Sequence, residues 1–127
     1  MSQPRVTVII PVYDDYDCLQ RCLAALEEQT FSSDAFEVLV VDNGTPSDRR
    51  QPLESASLEL RQLEEPAHGS YAARNLGLAH ARGRILAFTD ADCIPDPDWL
   101  ERGVAALDND PVVGLVAGHI DVFARPE

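Results

Sequence analysis

Apolar residues recur along this chain in two rhythms, and the two alternate. Arg5 to Val12 (RVTVIIPV), Phe36 to Val41 (FEVLVV) and Arg84 to Thr89 (RILAFT) hold short, almost unbroken apolar runs rich in β-branched residues, the pattern of strands buried on both faces. Leu58 to Leu63 (LELRQL) alternates apolar with polar, as a more exposed strand does. Between these runs the apolar spacing changes to three and four. Asp15 to Gln29 collects Cys18, Leu19, Cys22, Leu23 and Leu26 on one helical face. Tyr71 to Ala81 reads as a second helix, capped by Ser70 and closed by Gly83. Pro95 to Leu107 reads as a third, started by Pro97 near its first turn, with Trp99, Leu100, Val104 and Leu107 as its apolar face. Asp48 to Ser57 is polar and poorly periodic, a short helix or a loop; Val112 to Ala117 and Ile120 to Phe123 read as further strands.

Strand alternating with helix predicts the α/β class, an open, mostly parallel sheet with helices on both faces and right-handed crossovers. Residues 1–127 form a single domain: the length suits one core, and no repeat, low-complexity segment or linker divides it. Pro11 is expected to stop the first strand, and Asp14 or Asp15 to cap the helix that follows. The second strand should end in a tight turn, Asp42-Asn43-Gly44-Thr45-Pro46. Turns after the first, second and fourth strands would then bring Asp14, Asp42 with Asn43, and Asp90 with Asp92 to one carboxyl edge. That is where open α/β sheets bind their ligands.

Among these turns Arg84 to Pro95 (RILAFTDADCIP) is the most informative. Asp-x-Asp also occurs at Asp15/Asp17, Asp96/Asp98 and Asp108/Asp110, so spacing alone says little. Only Asp90 and Asp92 directly follow a four-residue apolar run, Ile85 to Phe88, with Gly83 breaking the chain before it. Two carboxylates delivered to the sheet edge are suited to a divalent cation and a nucleoside diphosphate. A solvated acidic loop is the competing reading.

Charge sharpens that choice. The formal net charge is −12, which disfavours nucleic acid and anionic lipid as partners, and the ten basic residues are all Arg. A phosphate ligand in such a domain needs a cation held by carboxylates, Mg²⁺ or Mn²⁺, or a well-placed guanidinium. Arg74 is the natural candidate, one turn into a helix that follows a Gly-Ser loop. A surface ion pair is its alternative. Asn75 beside it either shares that role or holds the loop.

These pieces together resemble the amino-terminal, nucleotide-sugar-binding half of the inverting, GT-A fold glycosyltransferases of family 2. The resemblance is carried by VTVIIPVYDD at Val6 to Asp15, FEVLVVDNGTPSD at Phe36 to Asp48, GSYAARNLGLAHARG at Gly69 to Gly83, and ILAFTDADCIPDPDWL at Ile85 to Leu100. It implies a nucleotide-sugar donor (a UDP-, GDP- or dTDP-sugar) bound with Mg²⁺ or Mn²⁺, and an acceptor hydroxyl of unknown identity. By position it implies that Pro11, Val12 and Asp14 line the nucleoside pocket, with Asp14 standing where the family usually has Glu. Asp42 would accept a hydrogen bond from the base, with Asn43 shaping the turn beside it. Asp90 would lie by the ribose and diphosphate, and Asp92 would coordinate the metal.

Two other doubly wound folds fall behind. A phosphorelay receiver needs a Lys after its last strand, and a dinucleotide-binding domain needs Gly-x-Gly-x-x-Gly after its first; neither is present. The alternative of a different class is a nucleotide-binding or structural fragment without turnover. In the resembling family the general base and acceptor site lie beyond this stretch, and Asp121 is the one late acidic candidate before Glu127. On that reading the chain is an incomplete domain, inactive alone, whose open sheet edge favours a homo-oligomer. Cys18, Cys22 and Cys93 read as reduced thiols, Trp99 as core, and His68, His80 and His119 carry no motif. No apolar run reaches the length of a membrane span and no signal peptide precedes the first strand, so a cytoplasmic location is expected.

Overall fold

The computed structural model describes residues 3–111 together with Gly114 and Val116. In order, the elements are β1 (Val6–Val12), α1 (Tyr16–Glu27), a 3₁₀ turn at Ser33–Ala35, β2 (Phe36–Asp42), a second 3₁₀ turn at Ser47–Arg49, β3 (Glu59–Glu64), α2 (Ser70–His80), β4 (Ile85–Phe88) and α3 (Trp99–Asn109). The strands lie in the order β3-β2-β1-β4, and every pairing is parallel. The strands expected over Val112–Ala117 and Ile120–Phe123, together with His119 and Asp121, fall outside the described residues, Gly114 and Val116 excepted.

Strand parity decides which side chains meet which helix. Val6, Val8, Ile10 and Val12 of β1 and Phe36, Val38 and Val40 of β2 face one layer, where they pack against Tyr16, Leu19, Cys22, Leu23 and Leu26 of α1 and Leu100 and Val104 of α3. The other parity carries Ile9, which meets α2 so closely that a Cβ on Gly77 would stand 2.6 Å from Ile9 Cγ2. Helices therefore cover both faces, as alternating strand and helix predicted.

The opposite parity also buries a charge. Glu37 is fully buried; it accepts from Thr7 Oγ1 (2.6 Å) and the Arg82 amide (2.8 Å) at one oxygen and from Arg61 Nη2 (2.9 Å) at the other. Thr7 Oγ1 in turn accepts from the Gly83 amide at 2.8 Å. Burial pushes the Glu37 carboxyl upward, but these donors outweigh it and hold the group below its ordinary value. The network ties β1, β2, β3 and the end of α2 together at the amino end of the sheet.

Several local expectations are corrected. Pro11 does not stop β1; it pairs with Val41 inside the strand. Ile9 carbonyl accepts from the Thr89 amide on the β4 side, so the nitrogen of Pro11, two residues on, faces the same side just past the end of β4, where its missing N–H costs no ladder bond. Asp15 stands at the N-cap of α1 without a side-chain capping bond. Gly69, not Ser70, is the N-cap of α2, and Gly83 lies beyond the helix end at His80. Gly83 is instead a point of close approach: a Cβ there would stand 2.6 Å from the Thr7 nitrogen. The third helix starts at Trp99, after Pro97, and is capped from another element, because Gln29 Oε1 accepts from the Leu100 amide at 3.1 Å. Asp42 is the last residue of β2 and also opens its turn, its carboxylate accepting from the Gly44 and Thr45 amides.

Candidate functional site

Parallel strands place all their carboxyl ends on one edge, and three chain segments meet there. The ends of β1 and β2 and the turn after β4, joined by the first turns of α2, line a cleft of about 280 Å³ formed by Pro11, Val12, Tyr13, Asp15, Asn43, Ser70, Arg74, Asp90, Ala91 and Asp92. Six of the eight residues singled out from the sequence lie in that lining: Pro11, Val12, Asn43, Arg74, Asp90 and Asp92.

β4 hands the chain to the site. Its last ladder contact is the Thr89 amide to Ile9 carbonyl, and the Cys93 amide then donates to Asp90 carbonyl at 3.0 Å, closing a turn around Asp90 and Asp92. Both carboxylates are exposed, and ligand atoms of Asp90, Asp92 and Cys93 lie within 4.8 Å of one another. Two carboxylate oxygens at that separation, open to the cleft, are a donor set suited to a hard divalent cation with positions left for phosphate and water. Behind the turn lies α1: burial raises the Cys22 thiol to about 12, and charge at Cys93, Asp90 and Asp92 pushes the same way.

Arg74 supplies the opposite charge. Its Nη2 donates to Asp90 Oδ1 at 2.8 Å and its Nη1 to Ser70 Oγ at 3.1 Å, so one guanidinium spans from α2 to the turn after β4. Ser70, expected to cap the helix, orients this side chain instead.

Asp14 and Asp42, expected in the lining, are turned elsewhere. Asp14 adopts φ 51°, donates its amide to Thr45 Oγ1 (2.7 Å) and holds Arg49 Nε at 2.7 Å with its carboxylate. Asp42 is fully buried beneath the cleft. One of its oxygens accepts from the amides of Gly44 (2.9 Å) and Thr45 (2.8 Å), the other from Tyr16 Oη (2.6 Å), and Arg50 lies 3.5 Å away. Burial raises its carboxyl, yet these donors prevail and hold it below the usual value. Asn43 reaches the lining while donating to the carbonyls of Glu65 and Ala67, which anchors the β2 turn to the loop before α2.

The profile of glycosyl transferase family 2 matches residues 7–126. The chain belongs to that family. Glycosyltransferase AglE of Haloferax volcanii is 43% identical over 127 residues, 97% of this chain and 41% of its own length. A pre-mycofactocin glycosyltransferase of Mycobacterium tuberculosis is 36% identical over 125 residues, 94% of this chain and 24% of its own. Among solved structures, a Pyrobaculum calidifontis mannosyltransferase in complex with GDP-Man and Mn²⁺ superposes with a TM-score of 0.75 at 33% identity, over 90% of this chain and 35% of that one. Residues 1–349 of Staphylococcus aureus TarS with UDP-GlcNAc give a TM-score of 0.69 at 25% identity, over 83% of this chain and 31% of that one. The sheet and its helices are thus of the GT-A type, and the chain spans less than half the length of these relatives.

Within this family 2 domain, sequence reasoning missed four lining residues. Tyr13 stands largely exposed at the rim; its signal was its place between Val12 and Asp14. Asp15 and Ser70 have the residue types of helix caps, and Ala91 is the spacer of the Asp-x-Asp. Asn75, His68 and His80 are exposed and lie outside the lining, and Trp99 packs partly buried against the core, as expected of it. No helix among the described residues is long and apolar enough to cross a membrane.

Proposed function

We propose that this domain binds the donor of a glycosyltransferase: a nucleoside diphosphate-sugar, held with Mg²⁺ or Mn²⁺, whose sugar passes to an acceptor hydroxyl with inversion. The observation that carries this reading is the meeting of Asp90, Asp92 and Arg74 in one cleft at the carboxyl edge of the sheet. Support comes from relatives of the same fold, one in complex with GDP-Man and Mn²⁺ and another with UDP-GlcNAc.

Each residue then has a task its position allows. Pro11, Val12 and Asn43 form the floor on which the nucleoside lies, and the exposed Tyr13 ring offers a flat face to its base. Asp42 acts through the turn it holds by the Gly44 and Thr45 amides, which sets Asn43 in the lining. Asp92 holds the cation, with Asp90 beside it facing ribose and diphosphate. A bound divalent cation supplies neutralisation of the charge that develops on the departing diphosphate. Arg74 contributes a second positive charge from α2, whose first amides carry no side-chain cap from Gly69.

The test is calorimetric titration of UDP, GDP and dTDP into the protein with Mn²⁺, with EDTA, and into Asp92→Asn. Binding of one nucleotide that needs Mn²⁺ and is lost in the variant is the expected result. Binding of none, or binding indifferent to both EDTA and the substitution, would refute the proposal.

A further inference from the structure

Among the described residues the cleft lining holds three carboxylates, Asp15, Asp90 and Asp92, and a single cationic side chain, Arg74. That guanidinium already sits on Asp90 Oδ1 at 2.8 Å. The position nearest the Asp-x-Asp turn that a positive charge would favour is therefore occupied by the protein itself.

We propose that Arg74 is a resident counter-cation that competes with the divalent ion for Asp90, and that donor binding is an exchange. The ion takes over the neutralisation of Asp90, and the released guanidinium turns to the diphosphate. This inference rests on the donor-site reading above and adds to it a coupling between ion and nucleotide built from one side chain.

The physical argument has three steps. A cation on Asp92 would sit beside Asp90, whose ligand atom lies within 4.8 Å of that of Asp92 and 2.8 Å from the guanidinium, and like charges at that range repel appreciably even in a half-exposed cleft. The pair itself is weak enough to break, because Arg74 and Asp90 are both substantially exposed, at 37% and 52% of their side-chain surface. A diphosphate then offers the guanidinium a better partner than one carboxylate oxygen, since its planar fork matches paired phosphate oxygens. Ser70 Oγ keeps one arm of the fork at the mouth of α2 through the exchange, at 3.1 Å from Nη1. Without nucleotide the released guanidinium has no such partner, so Arg74 opposes the ion; with nucleotide it favours the ternary complex.

The measurement is Mn²⁺ binding, read from the paramagnetic resonance signal of free Mn²⁺, for wild type, Arg74→Gln and Arg74→Lys, each with and without the nucleotide that wild type prefers. Arg74→Gln should bind Mn²⁺ alone about threefold or more tightly than wild type, and nucleotide in saturating Mn²⁺ about tenfold more weakly. Arg74→Lys keeps the charge but not the fork, so it should leave Mn²⁺ affinity near wild type and still weaken nucleotide. Unchanged or weakened Mn²⁺ affinity in Arg74→Gln, with nucleotide binding still dependent on Mn²⁺, would overturn the exchange while leaving the donor site intact. Absence of Mn²⁺ binding by wild type and both variants, with and without nucleotide, would overturn both. Circular dichroism of the variants confirms that an exposed helix substitution has left the fold unchanged.

Discussion

Tyr16 donates its hydroxyl to Asp42 across 2.6 Å, joining the first turn of α1 to the last residue of β2 beneath the cleft. Burial and the adjacent Asp42 raise the phenol above its ordinary value, which favours the protonated form that donates this bond. Gln62 of β3 donates to the same oxygen at 2.8 Å. Tyr16→Phe should therefore cost about 1–3 kcal/mol in urea unfolding, since it strips a partner from a buried carboxylate. Asp42→Asn should cost at least as much, because an amide NH₂ cannot accept from Gly44, Thr45 and Tyr16 together. Stability within about 0.5 kcal/mol of wild type in both variants would show that the β2 turn does not depend on this network.

Glu37 predicts a pH response. Its folded value lies below the ordinary 4.5, so its contribution to stability is fully present above that value and is lost as pH falls through the folded one. Asp42 acts in the same direction from its ordinary 3.8. Midpoints of urea unfolding should thus fall steeply from about pH 5 to about pH 3, and the slope should be shallower in Glu37→Gln. An equal slope in that variant would place the acid sensitivity elsewhere.

Two glycines separate backbone from side-chain crowding. A Cβ at Gly83 would meet the Thr7 nitrogen and Val6 carbonyl carbon, each at 2.6 Å, whereas one at Gly77 would meet Ile9 Cγ2 at the same distance. Backbone in a central strand cannot yield, but an Ile side chain can rotate. Gly83→Ala should cost about 3 kcal/mol or more, and Gly77→Ala about 1 kcal/mol, its strain offset in part by the helix preference of Ala. Thermal unfolding of the pair tests the order, and a reversal would refute it.

Carboxylates turned away from the cleft should behave unlike those in it. Asp14→Asn removes the charge of an exposed pair with Arg49 and still tolerates φ 51°, so nucleotide affinity in Mn²⁺ should stay within about threefold of wild type and stability within about 1 kcal/mol. Asp92→Asn should lower that affinity by at least about tenfold. Calorimetry on both variants decides; equal losses would mean that Asp14 reaches the ligand.

Legibility followed the range of the interactions concerned. The strands of β1, β2 and β4 could be read to within a residue or so, because each is an apolar run whose neighbours carry the signal. The start of helix α3 at Trp99 is not legible locally, because its first free amide is capped by Gln29, 71 residues away in sequence. Ser70 has the residue type of a cap, yet its hydroxyl is used by Arg74. The same limit applied to Glu37, a charge in the middle of an apolar run whose partners Thr7, Arg61 and Arg82 come from three other segments.

What the sequence determined by itself was the order of strands and helices, the parallel sheet they imply, and the edge at which the acidic turns collect. Hydrophobic periodicity is local, and a buried face on each element leaves few ways to stack them. What only the tertiary structure decided was which of those acids are available. Asp14 and Asp42 are drawn to Arg49, Tyr16 and the Gly44–Thr45 amides, while Asp90 and Asp92 line the cleft, Asp90 paired there with Arg74. A carboxylate bonds to whichever donor the folded chain brings within about 3 Å, and that distance does not exist until the segments have packed.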